Sequence, residues 1–393
     1  MTINKTPIRL AVVALALALA GSACSGDATE REPIFDPKPA AEPTFDPVAA
    51  AAEDDLELAL EAIVAETGVP ALGAAAFTSE GQLDIGVAGL RKRGGATPVT
   101  DDDVFHIGSN TKAMTAALLG LVSQQGQGVS FDTTLAEAFP GSVHAGYADV
   151  TLSDLLSHTG GTPADPPNVD TSLPVQEQRA LIATKMIGSA PEVEPHTVSR
   201  YSNAGYIVVG AALEAATGES WEDLMRTELF GPLGMESCGF GAPGDGSGQD
   251  TPLGHDPAGR PIHADNLASL GPAGTVYCSM ADWGAFLTEI LRGYEGTSDL
   301  FDPDTVDLLL ATRDEPVEDG DGVKAGMGWI RIEEGPDGPV YLHSGSNTMW
   351  LSQAVLVPDQ GIAAVAVSNE FSTGQLATGL ALATLSEMYA GQS

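Results

Sequence analysis

The chain has 393 residues, 43% of them hydrophobic, enough to bury a sizeable core in one large domain of helices and strands with a helical insert. Against 17 basic residues stand 54 acidic ones, a net charge of -37. Such a surface argues against nucleic-acid binding, which needs cations to neutralise phosphates, and against charge-driven adsorption to anionic membranes. It fits a solvated acidic exterior suited to a salty environment and identifies no substrate.

Residues 1–23 read as a secretory signal. Lys5 and Arg9 supply a positive start, and the apolar run from Leu10 to Ala20 is too short to span a bilayer comfortably. Gly21-Ser22-Ala23-Cys24 is similar to a lipoprotein processing site with Cys24 as the lipidated residue, although Gly21 stands where a leucine-like residue is usual. Simple cleavage with free secretion is the alternative. The expected location is therefore the outer side of a bacterial membrane, reached only through the lipid at Cys24, or the medium. Residues 24–52 are rich in Pro, Ala and acid and repeat Glu-Pro-x-Phe-Asp-Pro at Glu32 and Glu42. Two copies are too few for a solenoid, so this stretch is expected to be a tether. Residues 53–393 are left as the folded domain. Its two cysteines, Cys238 and Cys278, would meet an oxidising compartment, where a disulfide is favoured over two buried thiols.

Asp54 to Glu66 has the apolar spacing of a helix, and Ala71 to Thr78 with Gln82 to Leu90 reads as a hairpin. Phe105-His106-Ile107-Gly108-Ser109-Asn110-Thr111-Lys112 then leads into a buried helix running to Gln125. The middle of the chain is helical: Thr151 to His158, Gln176 to Ile187, Ala204 to Thr217 and Trp221 to Leu229. Gly241 to Gly271 is a long Gly/Pro/Asp-rich loop of the kind that rims a site. Helices are expected again at Met280 to Arg292 and Asp304 to Thr312. Strands follow at Trp329 to Glu333, Val340 to His343, Trp350 to Val357 and Ile362 to Ser368, before a closing helix from Thr373 to Ala390. The fold class is α+β: the first hairpin and the last strands share one antiparallel sheet flanked by helices, with a mainly helical insert lobe and a groove where the lobes meet.

Three short pieces carry the chemistry. Ser109 and Lys112 are three apart, one turn along the same helix face. Alone, the pair reads as a helix cap with a solvated lysine. Tyr201-Ser202-Asn203 precedes the next long helix, where Tyr201 and Asn203 alone would shape a turn and cap that helix at Ala204. His343-Ser344-Gly345-Ser346 ends a strand, where a lone histidine is usually structural. Together, in this order, Ser-x-x-Lys, Tyr-x-Asn and His-x-Gly resemble the serine β-lactamase and penicillin-recognising family, in its class C-like branch. That branch holds class C β-lactamases, D-Ala-D-Ala carboxypeptidases, D-aminopeptidases and esterases. The resemblance spans roughly residues 55–390. Supporting segments are Leu155-Leu156-Ser157-His158-Thr159-Gly160-Gly161, Phe230-Gly231-Pro232-Leu233-Gly234-Met235 and Gly326-Met327-Gly328-Trp329, with His158 read as a structural turn residue.

The resemblance implies a nucleophilic Ser109 that forms an acyl-enzyme, with Lys112 and Tyr201 moving its proton. Asn203 would orient Lys112 and hold a substrate amide. Backbone N–H groups of Ser109 and Ser346 would form the oxyanion hole, and His343, Ser344 and Gly345 would line the substrate strand. No metal and no organic cofactor is implied. The partner is a small molecule or peptide carrying an ester or amide bond. Where the family's third motif has lysine, this chain has His343, whose neutral ring holds a carboxylate less strongly. An esterase or D-amino-acid peptidase/amidase is accordingly favoured over a β-lactamase or D-Ala-D-Ala carboxypeptidase. A non-catalytic peptidoglycan- or β-lactam-binding surface protein is the remaining alternative. Asn347-Thr348-Met349-Trp350 replaces the Gly-rich residues common after this motif and is expected to narrow the groove. Gly-x-Ser-x-Gly, Glu-x-x-Leu-Asn and His-Glu-x-x-His are all absent, which disfavours an α/β-hydrolase, a class A enzyme and a metallohydrolase.

Overall fold

The computed structural model describes residues 55–389, except 319, 321, 334, 336 and 337. The expected signal, Cys24 and the tether lie outside the described residues.

The organising element is a seven-stranded antiparallel sheet drawn from both ends of the chain. After helix α1 (Leu56–Thr67), whose N-cap Asp55 accepts from Leu58 N at 3.1 Å, come β1 (Ala71–Thr78) and β2 (Gly81–Gly89). The remaining strands are β6 (Val323–Ala325), β7 (Ile330–Ile332), β8 (Val340–Ser346), β9 (Leu351–Val357) and β10 (Ile362–Ser368), in the spatial order β2-β1-β10-β9-β8-β7-β6. The register pairs Leu72 with Ser368 and His343 with Ala354. β1 is apolar along its whole length because both faces are covered. Leu72, Ala74 and Ala76 pack with Leu60 and Ile63 of α1 and with Ala377 and Ala381 of the closing helix (Gly374–Met388). Ala75 and Phe77 face the main core instead, with Met280 and Trp283. Each large side chain so buried stabilises the fold by ~1.5–3 kcal/mol.

Between the two ends of the sheet lies the helical lobe. Its central helix, α2 (Thr111–Gln124), is buried on every side from Thr111 to Val122. It packs against α5 (Asn203–Thr217), which in turn carries α3 (Leu152–Leu156) and α4 (Val175–Ile187). The helix expected at Trp221 to Leu229 is regular to Leu224 and widens to a π-turn over Met225–Phe230. A three-stranded sheet that periodicity does not signal joins β3 (Val104–His106), β5 (Val276–Ser279) and β4 (Gly239–Phe240), with β5 in the middle. Cys238 and Cys278 form a disulfide beside it. Because β3 runs straight into Gly108 and Ser109, this small sheet aims the first motif at the end of β8.

Candidate active site

Ser109 lies on a single tight turn, Gly108–Asn110, that leads directly into α2. Gly108 has φ +52°, and a Cβ there would lie 2.4 Å from Ser346 N. From the opposite side, a Cβ on Gly345 would lie 2.0 Å from Ile107 O and 2.8 Å from Ser109 N. Two glycines thus let the Ser109 turn and the end of β8 touch backbone to backbone, and Ser109 N and Ser346 N belong to these two touching segments. Ser352 Oγ locks the contact by donating to Ile107 O (2.7 Å) while accepting from Asn110 Nδ2 (2.8 Å).

Lys112 is fully buried. An ammonium in such a place needs acceptors on all sides. It donates to Ser109 Oγ (3.1 Å), Asn203 Oδ1 (2.8 Å) and the Ala273 carbonyl (2.7 Å). The rings of Tyr201 and Tyr206, 4.6 and 5.4 Å from Nζ, add cation–π contacts. Tyr201 OH in turn donates to Ser109 Oγ at 2.7 Å. The residues Ser109, Lys112, Tyr201 and Asn203 therefore converge on one point from two segments of chain.

The cap of α5 is Ser202, not Asn203. Ser202 Oγ accepts from Gly205 N (2.9 Å) and donates to Pro163 O (2.6 Å). This leaves Asn203 Oδ1 for Lys112 and its Nδ2 for Asp165 Oδ1 (3.3 Å). Tyr201 is seated by His158, whose ring centroid lies 4.7 Å away and whose Nδ1 accepts from Ser202 N (3.1 Å). His158 holds a left-handed φ of 64°, as befits a turn residue. Burial, and then the charge of Lys112, keeps its ring well below the usual histidine range.

Tyr206 also lies over Lys112, but its hydroxyl is committed to Leu156 O at 2.6 Å. Burial, and then Tyr201, raises its pKa well above that of an ordinary phenol. It stays protonated and cannot serve as a base. His343 is buried on β8 and donates from Nδ1 to Gly328 O at 2.6 Å. Burial, and next the Lys112 charge, lowers its pKa to about 3, so the ring is neutral near pH 7. Ser344 Oγ accepts from Gln353 Nε2 at 3.4 Å.

In the turn after Ser346 the four residues divide. Asn347 and Trp350 are buried and point inward, Trp350 edge-on to Phe105 with centroids 6.0 Å apart, so neither narrows the groove. The exposed residue there is Thr348, at φ +71°. Sequence reasoning passes over the Ala273 carbonyl, Tyr206 and the pair His106–Asp265. Backbone acceptors leave no trace in residue type, and the latter two belong to no motif.

Among the described residues no cluster of His, Cys, Asp and Glu is arranged to hold a metal ion, and no helix is long and apolar enough to cross a membrane. Residues 56–387 match the family model described as Beta-lactamase. The chain is 30% identical over 331 residues to penicillin-binding protein 4 of Amycolatopsis lactamdurans, covering 79% of this chain and 83% of that one. It is 25% identical over 284 residues to the D-alanyl-D-alanine-carboxypeptidase/endopeptidase AmpH of Escherichia coli, covering 68% and 71%. In fold it superposes on a β-lactamase/D-alanine carboxypeptidase from Pseudomonas syringae with a TM-score of 0.69 at 16% identity, over 86% of this chain and 97% of that one. The fold is thus that of these enzymes, and the match over residues 56–387 makes this chain a member of the Beta-lactamase family, a family of serine hydrolases.

Proposed function

We propose that the protein hydrolyses an ester or amide through an acyl-enzyme on Ser109. The observation that carries this reading is the pair of contacts on Ser109 Oγ, from Tyr201 OH at 2.7 Å and Lys112 Nζ at 3.1 Å. In the reacting form Tyr201 is a phenolate stabilised by the Lys112 cation; as Ser109 attacks the carbonyl its proton passes to that phenolate oxygen, and the phenol so formed gives it to the leaving group, which restores the phenolate. The N–H groups of Ser109 and Ser346 receive the charge that develops on the carbonyl oxygen. Asn203 fixes Lys112 and offers Nδ2 to the substrate. His343, Ser344 and Gly345 form the strand along which the substrate lies. Water then completes turnover, with Tyr201 reversing its role.

Because His343 is neutral and spends Nδ1 on Gly328 O, the third motif offers no fixed cation for a substrate carboxylate. This favours esters or D-amino-acid amides and peptides over β-lactams. The similarity to a D-alanyl-D-alanine-carboxypeptidase/endopeptidase is a specific reason to keep a second reading, a D-alanyl-D-alanine carboxypeptidase. The chain is further proposed to be exported, and anchored through Cys24 where its leader is processed as a lipoprotein.

A fluorophosphonate or a penicillin, followed by intact mass and peptide mapping, tests the chemistry. Labelling should fall on Ser109 and vanish in Ser109→Ala. A p-nitrophenyl acyl ester, a D-alanyl amide, a D-Ala-D-Ala peptide and a chromogenic cephalosporin, compared side by side, separate the substrates. Cephalosporin turnover above that of the ester and the amide would overturn the preference drawn from His343.

A further inference from the structure

The two backbones that carry Ser109 N and Ser346 N are tied a second time, away from the glycine contact. His106 is fully buried at the end of β3, and its Nδ1 accepts from Gly108 N at 3.1 Å. An accepting Nδ1 has no proton, so the neutral ring carries its proton on Nε2. Nε2 lies 2.9 Å from Asp265 Oδ1, a close contact without the geometry of a hydrogen bond. The same Oδ1 accepts from Asn347 Nδ2 at 2.9 Å. Asn347 is itself oriented, because its Oδ1 accepts from Met349 N at 3.3 Å. One carboxylate oxygen in the long loop thus joins His106, the last residue of β3, to Asn347, the residue after Ser346. The other oxygen, Oδ2, is buried and accepts no hydrogen bond from the described residues.

We propose that Asp265 is a positioning residue which, through His106 and Asn347, sets the separation of the Ser109 and Ser346 N–H groups, so that its removal lowers the rate of acylation rather than the affinity for substrate. The proposal rests on the reading of Ser109 as nucleophile. Both contacts of Asp265, the hydrogen bond from Asn347 Nδ2 and the 2.9 Å approach of His106 Nε2, are made by Oδ1, so the place of that one oxygen is what the bridge requires. Asparagine at 265 can keep Oδ1 in place and put its amide nitrogen where Oδ2 now lies. The contacts of Oδ1 are then kept, so the variant should be nearly as fast as wild type.

The experiment measures kcat and KM for a p-nitrophenyl acyl ester, the rate of fluorophosphonate labelling and the melting temperature. It compares wild type, Asp265→Ala, Asp265→Asn, Asn347→Ala and the double alanine variant. A lost oxyanion donor costs about 100- to 1000-fold, and a displaced one should cost less. Asp265→Ala is expected to lower kcat and the labelling rate by roughly 10- to 100-fold with KM changed less than about threefold. Asp265→Asn should regain most of that rate. The double variant should be no slower than Asp265→Ala, because Asn347 acts through Asp265. If wild type labels at Ser109 while Asp265→Ala labels at the wild-type rate, the bridge is wrong and the nucleophile stands. The bridge is equally wrong if Asp265→Asn is as slow as Asp265→Ala. If wild type does not label at Ser109, the reading of the site fails and the bridge falls with it.

Discussion

Tyr201 OH and Ser109 Oγ are 2.7 Å apart across 92 residues of chain, whereas Tyr206, over the same ammonium, bonds Leu156 O instead. The two phenols should therefore answer differently to loss of the hydroxyl. Tyr201→Phe keeps the ring against His158 and removes the oxygen on Ser109, so acylation should slow by about 100- to 10,000-fold with little change in melting temperature. Tyr206→Phe strands a buried carbonyl and should cost about 1–3 kcal/mol of stability, with a rate loss at least tenfold smaller than that of Tyr201→Phe. Single-turnover kinetics and urea titration of both variants decide the assignment. Equal rate losses would contradict it.

The neutral His343 ring makes stability depend on pH. Its native pKa is about 3, against the ordinary 6.5 of an unfolded imidazole. Between those values the unfolded chain holds a proton that the native ring refuses. Stability is thus complete above about pH 6.5 and is lost as pH falls toward 3. His158 is displaced in the same direction and adds to the slope. His343→Asn can still donate to Gly328 O but no longer titrates, so its urea midpoint should fall less between pH 6.5 and 4 than that of wild type. An unchanged slope would remove His343 as its source.

Gly345→Ala should be among the most damaging single-methyl additions in the molecule. Its Cβ would lie 2.0 Å from Ile107 O and 2.8 Å from Ser109 N, both backbone atoms that cannot swing aside. β8 must move away from the Ser109 turn. We expect labelling of Ser109 to slow by on the order of 100-fold or more, as for a lost oxyanion donor. Labelling at the wild-type rate would mean that the two backbones do not act together.

The disulfide closes a loop with a sequence separation of 40 residues. On the chain-entropy view, such a closure stabilises the native state by about 4 kcal/mol. Cys238→Ser with Cys278→Ser should lower the unfolding free energy in urea by roughly that amount. Wild type under reducing conditions should behave the same way.

The parts of the fold legible in the sequence are those with a strong local signal. The apolar run of β1, the spacing of α2 and the alternation of β9 and β10 mark elements long enough to show their period, and their bounds lie within a few residues of those expected. Strands of two to four residues, such as β3, β4, β5 and β6, are too short to have one, so the small sheet beneath Ser109 leaves no periodic trace. The site divides in the same way. Ser109, Lys112, Tyr201, Asn203 and His343 lie in compact motifs, and the structure brings the first four into mutual contact while His343 lines the neighbouring strand. The cap at Ser202 is ambiguous in the sequence because either Ser202 or Asn203 can cap a helix, and only the fold shows that Ser202 turns back to Gly205. Asp265 meets His106 and Asn347 from far along the chain, and nothing periodic connects the three.

β1 hydrogen-bonds along its length to β10, which ends at Ser368, and the first and last helices lie on the same side of that pair. A ribosome therefore releases the opening hairpin long before the strand that must lie beside it exists. Assembly of the central layer is postponed until synthesis is nearly finished, and in the meantime the hairpin has only α1 for cover. A stop codon placed shortly before Ile362 would deprive β1 and β9 of the strand between them, leaving two half-sheets with bare edges rather than a slightly shortened enzyme.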